Sequence, residues 1–112
     1  MTQAPLTESD YDAAAAPELQ RLVASIDALP HDSVEAELAS DILTIEFSDG
    51  ARYVVNSHRA ARQIWLSAER SAWHFDYQRE QATWVASKTG DELWSTLTRL
   101  LSVKLGSPVT LR

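Results

Sequence analysis

Four carboxylates, Asp27, Asp32, Glu35 and Glu37, fall within eleven consecutive residues. Carboxylate oxygens suit hard or borderline cations such as Fe²⁺. A site built from them alone is weak and unselective, because Fe²⁺ stands low in the order of divalent affinities. Few-ligand oxygen sites of this kind imply a Kd of roughly 10⁻⁶ to 10⁻³ M. His31 lies between Pro30 and Asp32, where an exposed turn histidine is the simpler reading and a nitrogen ligand the alternative. His74 alternates outward with Asp76, and a cross-strand hydrogen bond suits it better than ligation or catalysis. His58 precedes Arg59 and Arg62 in what reads as a basic loop.

A second group carries a different chemistry. Residues 62–67 alternate, so that as a strand Ile64 and Leu66 point to one face while Gln63, Trp65 and Ser67 point to the other. An indole on a polar face leaves apolar area in water, and each ~100 Å² so exposed forgoes about 2.5 kcal/mol of burial. Either another part of this chain covers Trp65, or a partner does.

Other reaction classes are absent from the sequence. There is no cysteine, hence no thiolate nucleophile, disulfide framework or cysteine-held zinc or cluster. No serine sits in a Gly-x-Ser-x-Gly elbow, and three glycines are too few for most phosphate-cradling motifs. An enzymatic activity of its own is not expected.

The elements that must position these residues follow from periodicity. Tyr11, Ala15, Leu19, Leu22, Ile26 and Leu29 form one stripe of a helix over residues 8–29, capped by Thr7 or Ser9. Pro17 predicts a kink or a true start near residue 16. Val34, Ala36 and Leu38 alternate with Glu35 and Glu37 in a first strand, and Leu43, Ile45 and Phe47 give a second. Asp49-Gly50 then signals a hairpin to a strand over 52–56. Two further strands follow 62–67, over 72–77 and 83–87. Thr89-Gly90-Asp91-Glu92 has the form of a capping box ahead of a helix that Gly106 and Pro108 end. Residues 109–112 form a tail suited to the groove between the helices. The reading is one α+β domain over 1–112, with no linker dividing it. It is a two-layer sandwich, with an antiparallel sheet of about five to six strands carrying both helices on one face.

Charge is unevenly spread. Residues 1–56 hold eleven acidic and two basic residues, a net −9, and residues 57–112 hold five acidic and eight basic, a net +3. Such a field repels nucleic acid and attracts cations or a basic protein surface. No long apolar run or signal-peptide pattern occurs, so a cytoplasmic, membrane-free protein is expected.

Asn56, followed by Gln63-Ile64-Trp65-Leu66-Ser67 and then by Trp73-His74-Phe75-Asp76, resembles the frataxin family in its bacterial CyaY branch. The likeness extends to the N-terminal helix, the acidic strand, the Leu43-Thr44-Ile45 hairpin and the helix that opens Thr89-Gly90-Asp91-Glu92-Leu93-Trp94. It implies the same two-layer fold and a non-enzymatic role in iron–sulfur cluster assembly. In that role the protein would carry or sense iron (Fe²⁺/Fe³⁺, weakly bound) and regulate the cysteine desulfurase. By the resemblance, Asp27, Asp32, Glu35 and Glu37 would hold iron and meet the desulfurase. Asn56, Gln63 and Trp65 would contact the iron–sulfur scaffold protein or the desulfurase complex. A purely protein-binding regulator with incidental metal binding is the alternative. The family further implies a metal-free monomer that iron can drive into oligomers. Ala24, Ala28, Leu29 and Ser33 stand where bacterial members are often acidic, which implies a lower iron stoichiometry here.

Overall fold

The computed structural model describes residues 6–111. Its first element, α1 (Glu8–Asp27), opens where the Thr7 hydroxyl accepts from the Asp10 N–H at 3.0 Å. Pro17 lies inside this helix and does not start it. The reason is tertiary. Tyr11 and Ala15 before the proline and Leu19, Leu22 and Ile26 after it enter the same core. The Tyr11 hydroxyl also donates to the Gln63 carbonyl at 2.7 Å. Beginning near residue 16 would strand Tyr11 in water, and its burial, the Thr7 cap and this bond offset the ~3 kcal/mol that an interior proline costs.

Six strands in chain order then build one antiparallel sheet: β1 (Val34–Ala39), β2 (Ile42–Phe47), β3 (Arg52–His58), β4 (Gln63–Ala68), β5 (Ser71–Gln78) and β6 (Thr83–Ala86). β1, β2, β4 and β5 alternate as the sequence predicts, and Leu43, Ile45, Val55, Ile64, Leu66, Phe75 and Trp84 are fully buried. The β2–β3 turn places Gly50 at φ +90°, while the Asp49 carboxylate accepts from the Ala51 N–H at 2.9 Å. β3 runs two residues further than expected, through His58, and the chain then reverses through a 3₁₀ turn (Arg59–Ala61) and a left-handed Arg62.

The last helix, α2 (Leu93–Leu105), corrects the capping-box expectation. Its cap is Glu92 itself, whose carboxylate accepts from the Trp94 and Ser95 N–H groups. Thr89 instead belongs to a tight turn in which the Gly90 N–H donates to the Ala86 carbonyl at 2.7 Å. That turn leaves no register for Thr89 to reach the helix. Gly106, at φ +74°, ends α2. Beyond it the Val109 N–H donates to the Ser102 hydroxyl and Val109 is buried, as a tail against the helices requires. Arg112 lies outside the described residues.

Two polar ties close the sandwich. Glu18 on α1 is buried, pairs with Arg21 and accepts from the Trp94 indole N–H on α2. At the opposite end the Lys104 ammonium reaches Asp49 at 2.6 Å and lies 4.0 Å from Glu69, which accepts from the Tyr53 hydroxyl at 3.1 Å. Burial, seconded by the Glu69 carboxylate, pushes the Tyr53 phenol up to about 12. The hydrogen bond from Lys104 holds the Asp49 carboxyl below its usual range.

Candidate functional site

The acidic group is arranged along one margin of the molecule. Asp27 is the last residue of α1, Asp32 stands in the following turn, and Glu35 and Glu37 occupy outward positions of β1. β1 is an edge strand that pairs only with β2. All four side chains are exposed, and among the described residues none makes an ion pair or a side-chain hydrogen bond. The contrast with other carboxylates is informative. Glu8 and Asp10 stand in the first turn of α1, where negative charge complements the helix dipole. Asp27 stands at the opposite end, where the last turn holds no basic residue and the carboxylate works against the dipole. The fold gains nothing from it.

The register adds a residue that the sequence reading passed over. Glu46 on β2 lies directly across from Glu35, and a shallow cleft of about 220 Å³ at that end is lined by Asp32, Glu35 and Glu46. Arg52 partly offsets Glu46, with nitrogen and oxygen 3.6 Å apart. Among the described residues no three carboxylate or imidazole groups converge closely enough to hold a metal ion. The donor chemistry therefore suits a hard cation, while the geometry offers only pairs of ligands completed by water. His31 lies apart from the cleft, against an apolar groove lined by Ala28, Leu29 and Val109.

The second group is built quite differently. Ile64 and Leu66 face the helices and are fully buried, which turns Gln63 and Trp65 to the opposite side of the sheet. There Trp65 stands between two histidines. Its ring stacks on His58 at 3.9 Å with 14° between planes, and on His74 at 4.2 Å with 21°. The indole N–H donates to the Gln63 carboxamide oxygen at 2.8 Å, and the Gln63 amide donates to Asp76 at 3.0 Å. Asn56 is the cross-strand partner of Trp65 on β3. His58 is thus no loop residue but the end of a strand, and its partner is an indole. Period-two alternation continued from Asn56 to His58 would have placed it here. Trp65 itself is half-buried, covered on its ring faces and open at its edge.

Comparison with known proteins now decides the family, because the frataxin-like domain matches residues 4–107. The chain belongs to the frataxin family. Among its relatives is the iron–sulfur cluster assembly protein CyaY of Ralstonia nicotianae, 33% identical over 111 residues that cover 96% of each chain. The iron–sulfur cluster assembly protein CyaY of Dechloromonas aromatica is 32% identical over 108 residues, covering 96% of this chain and all of the relative. In fold it matches frataxin from Psychromonas ingrahamii with a TM-score of 0.83 at 21% identity, covering 92% of this chain and 95% of the other. Yeast frataxin gives a TM-score of 0.71 at 24% identity, with 95% of each chain covered. As a frataxin-family member this chain carries the expected α+β sandwich in its six-stranded form. No helix among its described residues is long and apolar enough to cross a membrane.

Proposed function

We propose that this protein is a cytosolic accessory of iron–sulfur cluster assembly that binds iron weakly, as carrier or sensor, and regulates the cysteine desulfurase without enzymatic activity of its own. The observation that supports this most is the set of four carboxylates along one edge that have no partner among the described residues, one of them placed against its own helix dipole. Charges that the fold does not use remain free for a cation or for basic residues of a partner. The relatives named for iron–sulfur cluster assembly supply the context. In this reading Asp27, Asp32, Glu35 and Glu37 hold iron as cargo and meet the desulfurase. Asn56, Gln63 and Trp65 meet the scaffold protein or the desulfurase complex, so the acidic edge joins iron to desulfurase contact while the tryptophan face gives a second docking surface.

The test is a titration of the free protein, and of its desulfurase complex, with Fe²⁺ or Co²⁺, followed by backbone NMR. Resonances of Asp27, Asp32, Glu35 and Glu37 should shift or broaden before any in the second half of the chain. Equal perturbation of both halves, or none at millimolar metal, would remove the ridge from the mechanism. A second reading, a protein-binding regulator whose metal binding is incidental, is favoured by the failure of the carboxylates to converge. It separates from the first if desulfurase binding is unchanged by iron while charge reversal on the edge abolishes it.

A further inference from the structure

We infer that His58 and His74 are positioning residues that clamp the Trp65 ring for docking, and that His58 makes the clamp release on protonation. The inference rests on the reading of Trp65 as a docking residue.

The two sides of the clamp differ. His74 is exposed, so the cation formed when it gains a proton is solvated and still attracted to the indole face. The Nδ1 atom of His58, in contrast, is buried and has no hydrogen-bond partner among the described residues. The neutral ring that carries its proton on Nε2 fits that position. A second proton would place a buried N–H⁺ where no acceptor stands, and this disfavours the stacked rotamer. Acid therefore frees one face of Trp65 and loosens its orientation, while the bond from its indole to Gln63 and the stack on His74 remain.

The charged surroundings do not supply the missing acceptor. Asp76 on β5 is engaged by Gln63, and Asp41 before β2 accepts from the Ser57 hydroxyl. Glu8 and Asp12 on α1 pair with Arg59, while Arg62 donates to the Arg59 carbonyl. Lys88, beyond β6, borders the same cleft as His74, and the outward residues of β6, Thr83 and Val85, are uncharged.

The experiment follows the Trp65 indole N–H resonance of the ¹⁵N-labelled full chain from about pH 8 to about pH 5, the range in which histidines titrate. In the wild type this resonance should move in step with the ring resonances of His58. His74→Phe should retain most of the movement. His58→Phe should lose it, because a C–H at the Nδ1 position keeps the stack and needs no acceptor, and His58→Gln, which cannot titrate, should lose it too. Docking to the purified desulfurase–scaffold complex is read as the affinity of wild type relative to His58→Phe at each pH, so that the partner's own titration cancels. That ratio should fall about twofold to tenfold towards acid, the range of one aromatic pair. An indole transition that persists in both His58 variants overturns the clamp. So does a flat ratio while Trp65→Ala docks poorly. If instead Trp65→Ala docks as well as wild type, the docking role itself fails, and the indole titration alone then decides whether His58 governs the ring.

Discussion

The acidic edge and the tryptophan face are both candidate contact surfaces, and they are built on opposite plans. Along the edge, four exposed carboxylates have no partner among the described residues and do not converge on one point. On the face, one indole is fixed by two ring stacks and one hydrogen bond, and the residue that accepts its bond is itself bonded to Asp76. The first is a field, whose effect depends on net charge and ionic strength. The second is a fixture, whose effect depends on shape. Free carboxylates on flexible stems can exchange ligands as a loosely held cation arrives and leaves. A pre-oriented aromatic loses little rotamer freedom when a partner buries it, so more of its contact area appears as affinity.

This contrast can be broken by substitution. The largest effect is expected one residue from Trp65. Ile64→Ala opens a cavity in the fully buried core and should lower unfolding stability by ~2 to 5 kcal/mol, with little direct effect on docking. Trp65→Ala should do the reverse. It removes two stacked pairs and costs about 1 to 2 kcal/mol in denaturant unfolding, yet weakens partner binding by ~2 kcal/mol or more. If Trp65→Ala unfolds as easily as Ile64→Ala, the face is core and not a contact. Next in size is Glu18→Ala, which tests a carboxylate that the fold does use. Leaving the Trp94 indole N–H unpaired should cost ~1 to 3 kcal/mol in thermal or chemical unfolding.

The edge carboxylates should behave in the opposite sense. Asp27→Asn should leave stability unchanged or raise it by about 0.3 kcal/mol, because it removes a charge opposed to the helix dipole. Glu35→Lys with Glu37→Lys should weaken metal and desulfurase binding together, measured by calorimetry. Docking through this field should also weaken as ionic strength rises from about 50 to about 300 mM, whereas contact through Trp65 should not. The smallest effect concerns pH. The Tyr53 phenol is pushed up to about 12, above its unfolded value of about 10. The stability it adds is therefore complete below pH ~10 and lost as pH rises towards ~12. The unfolding midpoint should drop across that window, less so in Tyr53→Phe, while the acidic edge contributes nothing there.

Strand periodicity carried most of the fold. Ile64 and Leu66 inward and Trp65 outward were legible from six letters, as were the β2 core positions and the Asp49-Gly50 turn. Pro17 does not start the helix, because the tertiary gain of Tyr11 outweighs the local cost of an interior proline. The Thr89 motif misled because Glu92, three residues on, is a competent cap by itself. Of the candidate sites, the outward aromatic was visible and its stack between two histidines was not. A stack needs the register between β3, β4 and β5, and no single strand encodes that. Glu18 was legible in principle: it lies seven residues after Tyr11 and four before Leu22, on the buried stripe and not on the solvated side.

One feature of β1 bears on how molecules of this protein treat one another. The strand stands at the edge of the sheet with no second strand beside it among the described residues, and six residues of edge strand are the ordinary template for sheet-to-sheet growth between copies. A second copy approaching in antiparallel register about Ala36 would bring Glu35 of one against Glu37 of the other, on both sides of the contact. Like charges directly opposite across strands destabilise the pairing. If the edge takes cations as proposed above, the same acidity also disfavours pairing between copies, and a cation that neutralised it would weaken that repulsion along β1.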